Sequence, residues 1–155
     1  MEIIATIFLN IIVGTAFVYD MYYRRIPNLL VLLGYAGMLP IVFWHNGLSG
    51  IAGAAAGIVI PWSGLMVIYL FRGLGAGDIK MMCLISGFLG LYQGIKYIIL
   101  TIFIAGLIGI IKLITELALR VGEGKKIGPG KTTIRFMIPI LLSYMVILIT
   151  KGGIM

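Results

Sequence analysis

Long apolar runs leave this chain few places to fold except a lipid bilayer. Six of them fill it, at residues 3–19, 29–44, 48–71, 76–92, 95–119 and 133–150, with short connectors between. A helix needs roughly 20 residues to cross the hydrocarbon, within a range of about 17–25. The third and fifth runs meet this easily. The other four are short and require a thinned bilayer or ends sunk below the headgroups. A mean hydropathy of +1.16 with 11% charged residues lies far from soluble averages. The expectation is an all-α, polytopic membrane protein with six transmembrane helices, and residues 1–155 as a single membrane-embedded domain. The first run has Glu2 as its only early charge and no small-x-small cleavage site before Asp20. It therefore reads as a permanent helix and not as a secretory signal.

A net charge of +7 in a soluble protein would suggest nucleic acid. Here the basic residues cluster in alternate connectors, so they read as a topology signal, with no nucleic-acid partner expected. Arg24 and Arg25 lie in the first connector and Arg72 in the third. Arg120, Lys125, Lys126, Lys131 and Arg135 mark the fifth, while the other side shows His45, Lys96 and Lys151. The positive-inside bias puts connectors one, three and five in the cytoplasm and both termini outside. Lys112 lies inside the fifth run, near its basic end, and can snorkel. The single cysteine, Cys83, excludes an internal disulfide and a multi-cysteine zinc site and is expected as a packed core thiol.

The chain contains only two aspartates, Asp20 and Asp78, each at the edge of an apolar run. Carboxylates at such positions are unfavourable and usually functional. Between them the chain is expected to cross the membrane twice, which returns it to the same face whichever way the protein inserts. Two carboxyl groups on one face can share a proton, as aspartic proteolysis requires. Each aspartate also has a structural explanation. Asp20 can pair with Arg24 four residues on, and Asp78 can cap the helix that follows it. Pro27 biases Ile26 toward extended backbone and presets the start of the second helix. Gly75 and Gly77 remove Cβ atoms beside Asp78, so that a substrate backbone can approach.

Other features carry less. Gly50, Gly53, Ala54 and Gly57 form a small-residue stripe suited to helix packing in lipid. Pro40, Pro61 and Pro139 fall inside apolar runs and are expected to kink them. Residues 124–132 contain Gly130-Lys131-Thr132, but position 125 is Lys where a phosphate loop needs Gly. That segment reads as a basic cytoplasmic loop. His45 has no visible metal partners and reads as a solvated side chain.

At the two aspartates the chain resembles the type IV prepilin peptidase family of intramembrane aspartic proteases. The resemblance rests on Asp20 with Arg25-Ile26-Pro27-Asn28, then Gly75-x-Gly77-Asp78-x-Lys80, with 58 residues between the aspartates and a six-span layout. A weaker echo is Arg135-Phe136 with Ile138-Pro139 in the last run. The family implies cleavage of the basic leader of a prepilin-like protein at the cytoplasmic membrane face, with the lipid bilayer as the other partner. It implies Asp20 and Asp78 as catalytic residues, with Gly75, Gly77, Lys80, Arg25, Pro27 and Asn28 as substrate-binding residues. Larger relatives carry an added domain with paired Cys-x-x-Cys motifs and methylate the new N-terminus. With one cysteine, this chain resembles the short, peptidase-only members of the Tad/Flp pilin or preflagellin type. No cofactor or metal is expected.

In such a dyad one carboxylate acts as general base on a water and the other protonates the carbonyl oxygen. Asp78 near a helix N-terminus is favoured as an anion and Asp20 near a C-terminus is not. This assigns Asp78 as base and Asp20 as acid, a statement about one microstate of a coupled pair. Two other functions use the same aspartates. A cation- or proton-coupled transporter would keep the pair, and an inactive pilus-assembly subunit would keep the fold.

Overall fold

A computed structural model describes residues 2–71, 73–122 and 136–152. They form five helices: α1 (Glu2–Tyr23), α2 (Asn28–Leu70), α3 (Ala76–Leu89), α4 (Leu91–Gly122) and α5 (Met137–Gly152). There is no strand among the described residues. Arg72, Lys125, Lys126, Lys131 and Arg135, and with them the basic loop at 124–132, lie outside the described residues.

Six membrane-crossing helices were expected. Among the described residues, three helical stretches are long and apolar enough to cross a membrane by length and composition: Ile3–Tyr23, Asn28–Leu70 and Leu91–Glu116. At 1.5 Å per residue, α3 and α5 measure roughly 21 and 24 Å, short of a hydrocarbon core of about 30 Å. The second and third runs form two helical limbs, joined at the non-helical Gly47 and together labelled α2.

α2 cannot be straight. Met38 and Ile58 would stand about 30 Å apart along an unbroken α-helix. Both nevertheless reach one residue of α3. A methyl group built on Gly87 would lie 3.1 Å from Met38 Sδ and 2.8 Å from Ile58 Cγ1. α2 therefore doubles back. The reversal falls at Gly47, with φ 59° and ψ −145°, a combination open to glycine and closed to side chains with a Cβ. Pro40 and Pro61, where kinks were expected, lie inside the two limbs of α2, and the non-helical dihedrals of α2 are at Gly47 between them. Pro139 is the third residue of α5. In that first turn its missing N–H has no intrahelical partner to lose.

α3 is the axis of the molecule. Ile79 and all residues from Met81 to Gly87 are buried, and α3 packs on each of the other four helices. Cys83 is buried there, as expected of a core thiol. The small-residue stripe serves packing at three of its four positions. Ala54 is buried, Gly57 lies against the Ser86 carbonyl, and Gly50 lies against the Val42 carbonyl across the reversal, while Gly53 faces open space. α3 ends at Leu89, where Gly90 with φ 77° terminates it three residues earlier than the apolar run suggested. α4 and α5 are joined inside the core by Thr101 and Ser143, whose hydroxyls lie 2.5 Å apart.

The first limb of α2 and α3 run in the same direction. Asn28 meets Lys80, and Met38 meets Gly87. The N-termini of α2 and α3 consequently lie side by side at one end of the bundle. The end of α1 is tied to them by the four residues 24–27.

Candidate active site

The α1–α2 connector is set by a helix stop followed by a helix start. Asp20 lies in the last turn of α1, half-buried, and its carbonyl accepts the Arg24 N–H at 3.0 Å. Arg24 has φ 53°. That left-handed residue with a bond back to the fourth residue before it is the αL way of ending a helix. The usual residue there is glycine, so Arg24 carries backbone strain. The turn also removes Arg24 from the helical surface on which an i,i+4 partner of Asp20 would stand. Pro27 then takes the N-cap position of α2 at φ −63° and ψ 132°, and its carbonyl accepts from Leu30 at 3.1 Å. Arg24 and Arg25 are exposed.

The α2–α3 connector presents Asp78 from the first turn of α3. Gly75 is the N-cap and Asp78 stands three residues on. The Asp78 carboxylate reaches back to accept the Gly75 backbone N–H, the acidic half of a capping box. The structural role expected of Asp78 is therefore present. It explains Gly75 as well. At φ −77° any residue could stand there, but a Cβ would lie 2.8 Å from Asp78 Oδ2. Gly75 makes room for the carboxylate itself.

Three observations bring the two motifs together. Lys80 Nζ donates to Asn28 Oδ1 at 2.9 Å, across 52 residues of sequence. Ile26 packs on Gly77, where a Cβ would meet Ile26 Cβ at 3.4 Å. The Asp20 carboxylate lies close enough to Asp78 to act on its ionisation. Asp78 belongs to short α3, outside the three stretches that are long and apolar enough to cross a membrane. Burial first, and then the Asp20 charge, push its carboxyl up to about 6, against the Gly75 amide, which lowers it. Among the described residues no group of three or more His, Cys, Asp or Glu side chains stands ready to hold a metal ion.

The sequence pattern of the type IV leader peptidase family matches residues 7–114. The chain belongs to that family. The match contains both aspartates and α1 to α3 almost entirely, and it stops short of α5, where the weaker echo at Ile138-Pro139 lies. No individual curated protein and no solved structure matches the chain. Membership in a leader peptidase family supports a prepilin-type leader peptidase activity at the family level.

Against this leader-peptidase background, several expected site residues are used within the protein. Gly77 receives Ile26, and Lys80 and Asn28 bind each other. Two contributors were not foreseen. Ile26 supplies the contact between the connectors. Tyr35 donates its hydroxyl to the Lys80 carbonyl at 3.2 Å. A heptad signal was available for Tyr35: positions 28 and 35 are seven apart and share a helix face.

Proposed function

We propose that this leader peptidase is an aspartic endopeptidase with Asp20 and Asp78 as its catalytic dyad. Its substrate is the basic leader of a prepilin-like protein of the Tad/Flp or preflagellin type. Cleavage occurs at the cytoplasmic membrane face, both termini lie outside, and the new N-terminus is not methylated. The observation that carries the reading is the convergence of Asp20 and Asp78, the chain's two aspartates, at one end of the bundle from elements 58 residues apart.

Two neighbouring carboxyls cannot both ionise readily, so the pair holds one proton. Burial favours Asp78 as its holder, which reverses the assignment drawn from helix dipoles alone. Asp20 then takes a proton from the attacking water, whose oxygen bonds to the scissile carbonyl carbon. Asp78 gives its proton to the carbonyl oxygen. The resulting gem-diol collapses as the C–N bond breaks: Asp78 takes back a proton from one diol hydroxyl, which becomes the new carboxyl C=O, and the amine leaves with the proton Asp20 had accepted. The connector at 24–27 is too short to hold a cofactor-binding fold between α1 and α2.

The test is incubation of purified wild type, Asp20→Asn and Asp78→Asn with a prepilin and S-adenosylmethionine, the product being weighed by mass spectrometry. Wild type should release the leader and leave an unmethylated N-terminus. Both variants should insert in the membrane and cleave nothing. Full processing by either variant removes the dyad, and a product heavier by one methyl group removes the peptidase-only reading.

A further inference from the structure

Lys80 and Asn28 were expected to touch substrate, but the structure gives them to each other. Asn28 opens α2, with four residues between it and the end of α1, and Lys80 follows Asp78 by two residues. Their bond of 2.9 Å closes a short ring. From Asp20 it runs through residues 21–27 to Asn28, across to Lys80, and through Ile79 to Asp78. Apart from that bond, the packing of Ile26 on Gly77 and the Tyr35 contact with the Lys80 backbone, the two carboxylates are joined only through the doubled length of α2.

Lys80 is held at a second point. Tyr35 donates to its main-chain carbonyl, and Asn28 and Tyr35 share a face of α2 because seven residues make two turns. One face of α2 thus holds the Lys80 side chain at its first turn and the Lys80 backbone two turns deeper. Both side-chain tips in the Lys80–Asn28 bond belong to exposed residues. Such a contact contributes little to holding a bundle together. Its position, between the two aspartate motifs, is what sets it apart.

We propose that Lys80 and Asn28 are positioning residues, a polar clamp that fixes the separation of Asp20 and Asp78 and does not bind substrate. The proposal rests on the dyad reading above. Removal of the clamp lets the first turns of α2 and α3 part. A misplacement of about 1 Å in a catalytic pair can reduce the rate on the order of 100-fold, while substrate affinity, which the clamp does not supply, is retained.

The experiment is a double-mutant cycle on the full chain in detergent micelles, with Asn28→Ala, Lys80→Met and both together, each assayed for kcat and KM on a prepilin. Each single variant should lose roughly 10- to 100-fold in kcat with KM within about twofold. The double variant should be no worse than the poorer single, because both changes break one bond. Lys80→Arg, which can still donate to Asn28, should recover most of the rate. Multiplicative losses, or losses carried by KM, would assign the two side chains to substrate and overturn the clamp. Thermal unfolding of the same four proteins should give midpoints close to that of wild type, which separates lost positioning from lost fold, and midpoints well below it would overturn the clamp. If wild type cleaves nothing, the protease reading fails and the clamp, which rests on it, fails with it, whereas cleavage by wild type with multiplicative losses overturns the clamp alone.

Discussion

Gly75 and Gly77 flank one alanine, yet the structure gives them different work, and substitution can tell them apart. A methyl at 75 would collide with the Asp78 carboxylate at 2.8 Å, while a methyl at 77 would meet Ile26 at 3.4 Å, an ordinary contact. Gly75→Ala should therefore cut cleavage at least about tenfold and Gly77→Ala far less, since displacement of a catalytic carboxyl by a fraction of an ångström is felt steeply. Gly77→Val should be severe, because its branches drive Ile26 away and part the two connectors. Gly53→Ala, facing open space, is the control. Cleavage rates at equal protein levels decide the order, and equal losses for Gly75→Ala and Gly53→Ala would refute it. The same residues show what the sequence could not disclose. The glycines announce a need for space, but what occupies that space, Ile26 and the Asp78 carboxylate, is fixed by folding. The titration of Asp78 yields a second prediction. With its pKa raised to about 6, the carboxyl is protonated below that pH and ionises above it. A mechanism that needs the shared proton loses rate as pH rises through about 6, by at most about tenfold per unit. A profile of kcat/KM from pH 5 to 8 checks this, and a rate that climbs without a break across that range would show that Asp78 works as an anion.

Among the elements, α2 is the one whose shape depends on a single backbone conformation. Gly47 holds φ 59° and ψ −145°, with nothing within 4 Å of a would-be Cβ. Space is therefore not the obstacle to a side chain there. The obstacle is local sterics, which disfavour such a residue by about 1–3 kcal/mol. Gly47→Ala should lower the unfolding midpoint in micelles while Gly53→Ala leaves it nearly unchanged, and equal midpoints would show that the reversal at Gly47 is not a constraint. The limbs on either side of this reversal were legible, because apolar runs end where charged or polar residues begin. The break between them was legible too, but its sharpness was not, since hydropathy marks where a run stops and not the dihedral angles between two runs. Pro40 and Pro61 sit in helical backbone, and the turn belongs to a glycine between them. The aspartate motifs were the clearest part of the site because Asp is so rare in this chain. Ile26, an apolar residue in a chain full of them, carried no comparable signal, and Tyr35 offered only its seven-residue spacing from Asn28.

For the whole molecule, the parallel course of α2's first limb and α3 makes one end chemically unlike the other. The dyad end carries Asp20, Asp78, Arg24, Arg25 and Lys80. The opposite end carries the Gly47 reversal with His45 beside it. From Asn28 to Gly47 the limb rises roughly 28 Å, close to the thickness of a hydrocarbon core. If that limb crosses the bilayer, residues 25 and 45 face opposite aqueous phases, and the basic excess puts residue 25 in the cytoplasm. Cysteine labelling can read this directly. Arg25 and His45 are both exposed, and the native Cys83 is 1% exposed, so it is shielded from reagent without being removed. A membrane-impermeant maleimide should label His45→Cys in intact cells and Arg25→Cys only after permeabilisation. Labelling of both from one side would mean that the first limb of α2 does not cross. The reverse pattern would invert the orientation and move cleavage to the outer face, while the convergence of the two aspartates, which depends on the doubled α2 and not on which way it is inserted, would be untouched.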